Sequence, residues 1–486
     1  MSDSAIPDAS SPRLFQCICH SPAFARWCEQ VDDKLSRRSF LAGTAAAGVS
    51  ALWPKAASAI NGEPPRGLVA FTDVQVFDGK SNALRGGLTV VVEGNKIKTV
   101  GASGAVPLTG VKVIDGGGRT LMPGLIDAHY HIMMASLPIS QLLTADVGFI
   151  NLAAAKEATD VLLRGFTSVR DMAGPSFSLK RAIDSGLVAG PRIWPSGAMI
   201  SQTSGHGDYR QLYELPSSPG APLSRGDAIG GGAIADGPAE VLKRAREQLM
   251  HGASQLKLAA GGGVSSNYDP IDVSQYTEAE FRAAVDAAEN WGTYVTVHAY
   301  TARAIQTAIR GGVRCIEHGQ LMDDSTARIM ADKGIWLSMQ PFLDDEDATP
   351  FPEGSLNRAK QLQMTQGTDN AYALAKKYKL KTAWGTDTLF DAKLAKRQGA
   401  QLAKMTRWYS SLEILTTATT VNAEVLAMSG QRSPYPGKLG LIEEGAYADM
   451  LLVNGDPLAN IQLFADPEKN LAVVMKDGVI YKNTVG

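Results

Sequence analysis

Only seven histidines occur in the 486 residues, and four of them fall where short apolar, β-branched runs come to an end. His129-Tyr130-His131 closes the run that begins at Leu125, His298 lies near the end of Tyr294–Tyr300, and His318 ends Arg314–His318. Residues i and i+2 of a strand share a face, so His129 and His131 can address one ligand together. A further run, Thr382–Asp387, ends in the acid Asp387. Lys257 sits inside Gln255-Leu256-Lys257-Leu258-Ala259, where an unpaired ammonium would be costly to bury. It can pair with a carboxylate, react with CO2 as the neutral amine to give a carbamate, or carry its charge to the surface. Neutral imidazoles beside a carboxylate and a carbamate are N and O donors that suit Zn2+ foremost, and also Mn2+ or Co2+. Two of the other three histidines read otherwise. His20 lies in an N-terminal leader, and His251 stands before Gly252 at a helix end, where it complements the helix dipole.

Eight candidate strands must position these groups: Leu125–His131, Thr167–Asp171, Arg192–Ser196, Gln255–Ala259, Tyr294–Tyr300, Arg314–His318, Trp336–Gln340 and Thr382–Asp387. Helical stretches lie between most of them, at Ala153–Arg164, Pro238–His251, Glu278–Trp291 and Leu356–Tyr378. Eight strand–helix units predict a closed parallel barrel, with the chemistry at the C-terminal strand ends. An open doubly wound sheet would call for a Gly-rich phosphate loop after the first strand, and none is there. The insert Ser201–Gly237, rich in Gly, Ser and Pro, is expected to be an irregular active-site loop. Its Gly230-Gly231-Gly232 run lacks the Lys-Ser/Thr of a nucleotide loop and reads as flexible surface.

Both ends of the chain are β-rich. Leu68–Phe71, Val74–Phe77, Leu88–Val92 and Ile97–Val100 precede the barrel, and Ala448–Val453, Leu471–Met475 and Val479–Tyr481 follow it. The fold class is therefore α/β, a (β/α)8 TIM-like barrel with a small β-sandwich domain built from both ends of the mature chain. The expected division is 1–59 leader, 60–122 first part of the sandwich, 123–433 barrel and 434–486 second part.

The leader carries Ser36-Arg37-Arg38-Ser39-Phe40-Leu41, a short apolar run and an Ala57-Ser58-Ala59 cleavage site. This is the pattern of a twin-arginine signal peptide, which predicts export to the periplasm or beyond. The apolar run is shorter than the ~20 residues of a membrane span, so no membrane association is expected of the mature form. Of four cysteines only Cys315 lies beyond the leader, which leaves the mature chain without an internal disulfide. A net charge of -2, with no basic block, argues against nucleic acid as a partner.

The set resembles the amidohydrolase superfamily in its carboxylated-lysine, binuclear-metal subgroup. The resemblance rests on Pro123-Gly124-Leu125-Ile126-Asp127-Ala128-His129-Tyr130-His131, the Lys257 strand, His298, His318, Gly385-Thr386-Asp387 and the return at Gly445-Ala446-Tyr447-Ala448-Asp449-Met450. It covers nearly all of the mature chain. Within the superfamily, Ser204-Gly205-His206-Gly207-Asp208 and His298-Ala299-Tyr300 resemble segments of the Xaa-Pro dipeptidase and ochratoxinase branch.

That resemblance implies two divalent metal ions, Zn2+ first among candidates. His129, His131 and Asp387 would hold one, His298 and His318 the other, with N6-carboxylated Lys257 bridging them. A metal-bridging hydroxide would attack a small-molecule amide, Asp387 would shuttle the proton, and His206 and Tyr300 would steady the oxyanion. Met133, Met134, Leu137 and Phe342 are candidate wall residues, and a basic residue for a substrate carboxylate is expected without being assignable. A homo-oligomer is also expected. The same site on a lactone, cyclic amide or phosphotriester stays open. A non-catalytic metal-binding barrel would be expected to lack Asp387, and a single-metal deaminase-like relative the lysine.

Overall fold

The computed structural model describes residues 67–214 and 222–485, so the leader lies outside the described residues. Five strands open the fold: β1 (Leu68–Val76), β2 (Arg85–Glu93), β3 (Lys96–Ala102), β4 (Lys112–Asp115) and β5 (Thr120–Pro123). β1 absorbs both short runs anticipated before Phe77, because bulges bend it on either side of Val74 instead of breaking it. Its first half pairs in parallel with β4 and its second half with β5, so one bent strand serves two parts of the sheet.

The barrel strands come next: β6 (Leu125–Tyr130), β7 (Phe166–Asp171), β8 (Arg192–Pro195), the inserted β9 (Met199–Ser201) and β10 (Gly232–Ile234), then β11 (Leu256–Ala259), β12 (Val295–Thr301), β13 (Cys315–Leu321), β14 (Trp336–Met339) and β15 (Thr382–Trp384). The chain ends in β16 (Met450–Val453), β17 (Leu471–Lys476) and β18 (Val479–Asn483), where β16 pairs antiparallel with β5 and joins both chain ends in one sheet. Alternate residues of this sheet, among them Phe71, Val90, Leu121, Leu452 and Val473, form the core of the small β-sandwich.

β6, β7, β8 and β11 to β15 make a (β/α)8 barrel. Two seams need help to close. At β8 and β11, Ser254 N donates to the Pro195 carbonyl at 2.7 Å and Gln255 Nε2 to the Trp194 carbonyl at 2.9 Å. At the last seam, Asp387 N donates to the His129 carbonyl at 2.8 Å. Asn422 lies across the same seam: its Nδ2 donates to the Ile126 and Trp384 carbonyls at 2.7 and 2.8 Å, and its Oδ1 accepts from Trp384 N at 3.0 Å.

The helices follow their end signals. Pro238–His251 starts on a proline and stops at Gly252 in the left-handed region, with His251 stacked on Phe177. Glu278–Asn290 opens on a Thr277/Glu280 capping box. The expected helix Leu356–Tyr378 is two helices, Leu356–Thr365 and Thr368–Lys377. They break at Gly367, where a Cβ would sit 2.1 Å from the Gln320 carbonyl.

The insert after β9 also departs from expectation. It contains a short helix, Arg225–Ala228, and β10, which pairs in parallel with β9 and starts at buried Gly232 instead of forming a flexible surface loop. No helix among the described residues is long and apolar enough to cross a membrane.

The β-sandwich docks on the barrel through Arg192, the first residue of β8. Its guanidinium donates to Asp449 at 2.9 and 3.2 Å and to Asp477 at 2.6 Å, and it lies 4.0 Å from the Tyr447 ring.

Candidate metal centre

β6 delivers His129 at its inner end, and Asp127 fixes the strand around it. Asp127 Oδ1 accepts from the backbone N–H of His129 at 3.0 Å and of Thr386 at 3.1 Å. Its Oδ2 accepts from Thr386 Oγ1 and Gln398 Nε2 at 2.8 and 2.9 Å. One buried carboxylate thus ties the His129 strand to the Asp387 turn, and its burial raises its own pKa. The two strand ends meet at Gly385, where any Cβ would lie 2.4 Å from His129 N.

Asp387 stands between two groups of imidazoles. Its Oδ1 is 2.9 Å from His131 Nε2 and 3.3 Å from His129 Nε2, and its Oδ2 is 3.9 Å from His318 Nδ1. The His298 and His318 rings are 4.5 Å apart, and the His129 and His318 rings 5.0 Å. Burial opposes ionisation of Asp387, yet His129, His131 and His318 around it hold the carboxyl well below its ordinary range. Burial likewise lowers the pKa of His131, His298 and His318, which keeps these rings neutral and available as ligands.

The far nitrogens settle which ring nitrogen keeps its lone pair. His129 Nδ1 donates to Glu317 Oε2 at 2.8 Å, His298 Nε2 to the Gly262 carbonyl at 3.1 Å, and His318 Nδ1 to Gln340 Oε1 at 2.7 Å. Each leaves the opposite nitrogen as the donor atom for a metal. His129 Nε2, the nitrogen turned toward Asp387, is buried with no hydrogen-bond partner, as a donor atom kept for a cation would be. The ligand atoms of His129, His318 and Asp387 all lie within 4.8 Å of one another. The 2.9 and 3.3 Å separations around Asp387 Oδ1 match the roughly 3 Å spacing of donors sharing one cation at about 2 Å. These residues fit divalent metal ions.

Lys257, in β11, is 2 % exposed and faces the same cavity. Among the described residues it makes no hydrogen bond and no ion pair, so the carboxylate partner admitted by its sequence context is not there. Burial lowers its ammonium to about 8, with Glu317 and Asp387 pulling the other way.

His206 and Tyr300 also reach the site. The His206 ring stacks 3.9 Å from His298, and its Nδ1 lies 2.9 Å from Ser266 Oγ. Burial lowers it to about 4 and pushes the Tyr300 hydroxyl up, so that hydroxyl stays a proton donor. Tyr300 is 4.7 Å from His298, ring to ring.

All eight site residues expected from the sequence line one cavity of about 340 Å3. Its remaining wall is largely apolar and includes Ile139, Val264, Phe342, Phe351, Met364 and Phe390. Phe342 was anticipated. Met133, Met134 and Leu137 were candidates too, but they turn into the hydrophobic core under the barrel mouth and do not line the cavity. Lys404 lines the wall but is held by Asp345 and Asp347 at 2.7 and 2.6 Å.

Sequence reasoning missed Glu317, Arg170, Asp127 and Gln340. Glu317 and Arg170 carried a usable signal, since each is a charge inside an apolar strand, as Lys257 is.

A parallel barrel with histidines and an aspartate at its C-terminal mouth carries a candidate metal centre where barrel enzymes keep their active sites. The model of the amidohydrolase family matches residues 120–481, and the chain belongs to that family. It is 29% identical over 416 residues to the ochratoxinase of Aspergillus niger, covering 81% of this chain and 82% of that protein. Among solved structures, a prolidase complexed with N-methylphosphonate-L-proline superposes with a TM-score of 0.78 at 34% identity, over 86% of this chain and 100% of its own. A Xaa-Pro dipeptidase with bound methionine gives 0.74 at 28% identity, with the same coverage. The chain is thus a hydrolase acting on amide or peptide bonds, of the branch that holds these enzymes.

Proposed function

We propose that this hydrolase cleaves the amide bond to a C-terminal amino acid, with N-acyl amino acids, ochratoxin-like aryl amides releasing phenylalanine, or dipeptides as its substrate class. One observation carries this: a metal-ligand cluster at the floor of a cavity whose wall is mostly apolar and aromatic. Such a wall suits an aromatic or acyl body, while the polar floor meets the scissile carbonyl. The related ochratoxinase, prolidase and Xaa-Pro dipeptidase support the choice of bond.

His129, His131 and Asp387 would hold one ion and His298 and His318 the second, with Lys257 carboxylated between them. The partner-free amine of Lys257, lowered to about 8, has an appreciable neutral fraction near neutral pH, as reaction with CO2 requires. Bound divalent ions, Zn2+ first among them, supply Lewis acidity and a nucleophile from water at neutral pH. Asp387 reaches the cavity from between the imidazoles, where it can take the proton of the attacking water and pass it to the leaving amine. His206 and Tyr300, which line the same cavity, would hydrogen-bond the developing oxyanion.

The test is amino-acid release by the Zn-loaded mature protein from Xaa-Pro dipeptides, N-acyl-phenylalanines and ochratoxin A, with a lactone and a phosphotriester alongside and Asp387→Asn as control. Release of phenylalanine or proline that the control lacks is expected. Turnover of the lactone or phosphotriester alone would overturn the substrate class while keeping the metal centre.

A further inference from the structure

The four histidines do not have equivalent surroundings. Behind His129 stands a carboxylate, behind His298 a peptide carbonyl and behind His318 a side-chain amide. The far nitrogen of His131 has no partner. The carboxylate is unusually well built. Glu317 has no exposed surface, and neither it nor Arg170 lines the cavity, so neither touches substrate. Glu317 Oε2 accepts from His129 Nδ1 and Arg170 Nη2, both at 2.8 Å. Its Oε1 accepts from Arg170 Nη2 at 2.8 Å, from Cys315 Sγ at 3.4 Å and from Thr296 Oγ1. Arg170 in turn donates to the Ala128 carbonyl at 2.5 Å and to Tyr294 Oη at 3.0 Å.

A fully buried ion pair of this kind gives little net stability over an apolar pair of the same volume. Its value lies in where it points. A carboxylate behind a ligating imidazole fixes the ring and raises its basicity, and neutral acceptors do so less.

We propose that Glu317, held by Arg170, makes the two metal positions unequal, so that the chain fills the His129 position first and the His298–His318 position second. This rests on the two-ion reading of the site above. Glu317 is a positioning residue: it sets the orientation and donor strength of His129 without meeting the substrate.

The experiment is calorimetric titration of the chelator-stripped full-length protein with Zn2+, repeated with Co2+ and read by its visible absorption. The wild type is expected to show two resolved events. Glu317→Gln should weaken the tighter one by about 10–100-fold, leave the weaker one in place, and shift the cobalt spectrum of the first ion. His298→Asn should remove the weaker event and spare the tighter. Gln340→Glu, which places a carboxylate behind His318, should strengthen the weaker event and narrow the gap, a gain that no folding defect imitates. Two ions of equal affinity in the wild type, or a Glu317→Gln variant that loses both events equally, would overturn the ordering alone. A single ion in the wild type would overturn the two-ion reading and the ordering with it.

Discussion

Asn422→Ala is the sharpest probe of how the barrel is closed. The buried amide spans the seam between β6 and β15 and satisfies three backbone groups: the carbonyls of Ile126 and Trp384 and the N–H of Trp384. Truncation strands all three. A buried polar group left unpaired costs about 1–3 kcal/mol, so three at the low end, with water entering the space, amount to about 3 kcal/mol, and nearer about 5 if the space stays dry. That is a large share of the roughly 5–15 kcal/mol by which domains are stable. The assay is urea unfolding at saturating metal, comparing midpoints at constant slope. Asn151→Ala is the control, because that amide only returns to the Val147 carbonyl on an exposed helix and its loss should stay within about 0.5 kcal/mol. Asn422→Asp should be worse than Asn422→Ala, since it turns a donor facing two carbonyls into an acceptor. Because Trp384 leads directly into the Gly385–Asp387 turn, kcat should fall with stability. A loss below about 1 kcal/mol in Asn422→Ala, the least that a single orphaned group costs, would refute the assignment of the seam to this side chain.

Arg192→Met should cost about 3–5 kcal/mol, because it leaves Asp449 buried without its counter-charge, and Asp449→Asn in the same chain should recover part of it; activity per folded molecule should hold, since Arg192 starts β8 and the site lies at the other strand ends. Burial, with Arg192 adding and Asp449 and Asp477 opposing, lowers Lys476 to about 8, against an unfolded value of about 10.4. Between these pH values the unfolded chain holds a proton that the folded one lacks, so this group makes stability rise with pH, and Lys476→Met should flatten that rise in urea midpoints taken from pH 7.5 to roughly 10.5. His206→Asn and Tyr300→Phe should each lower kcat about 100-fold at unchanged metal content; wild-type kcat in either would remove that side chain from the reacting centre.

The candidate metal ligands were legible because each is a polar residue that an apolar strand has no other reason to carry at its end. Lys257 was legible as a problem, and the cavity shows that no carboxylate solves it. Glu317 escaped because strand periodicity sends neighbours to opposite faces, which makes Glu317 and His318 exclusive choices for the barrel interior. The backbone breaks that rule: His318 sits at φ 82°, so the chain turns and both side chains face inward. Met133, Met134 and Leu137 failed as wall residues because the chain after His131 folds back in a turn, with the N–H groups of Met134 and Ala135 both donating to the His131 carbonyl at 2.8 Å. Gly367 hid inside a good helical pattern, and its packing against the Gln320 carbonyl is a tertiary fact. Asn422 gave no signal at all, since its meaning lies in partners 38 and 296 residues away.

Two of the candidate ligands, His318 and Asp387, occupy the left-handed region at φ 82° and 52°, which costs a non-glycine residue of order 1 kcal/mol or more. The scaffold bears that cost through bonds that do not use the donor atoms. The Asp387 amide is fixed to the His129 carbonyl, Thr386 to Asp127, and the far nitrogens of His129, His298 and His318 to Glu317, Gly262 and Gln340. The donor atoms are therefore oriented by contacts within the barrel itself, unlike those of a zinc finger, in which metal binding and folding are one event. Any ion bound here would add stability by linkage, in proportion to the logarithm of metal concentration over its dissociation constant. Despite the strain at His318 and Asp387, these contacts hold the imidazoles of His129, His131 and His318 around one carboxylate at the strand ends.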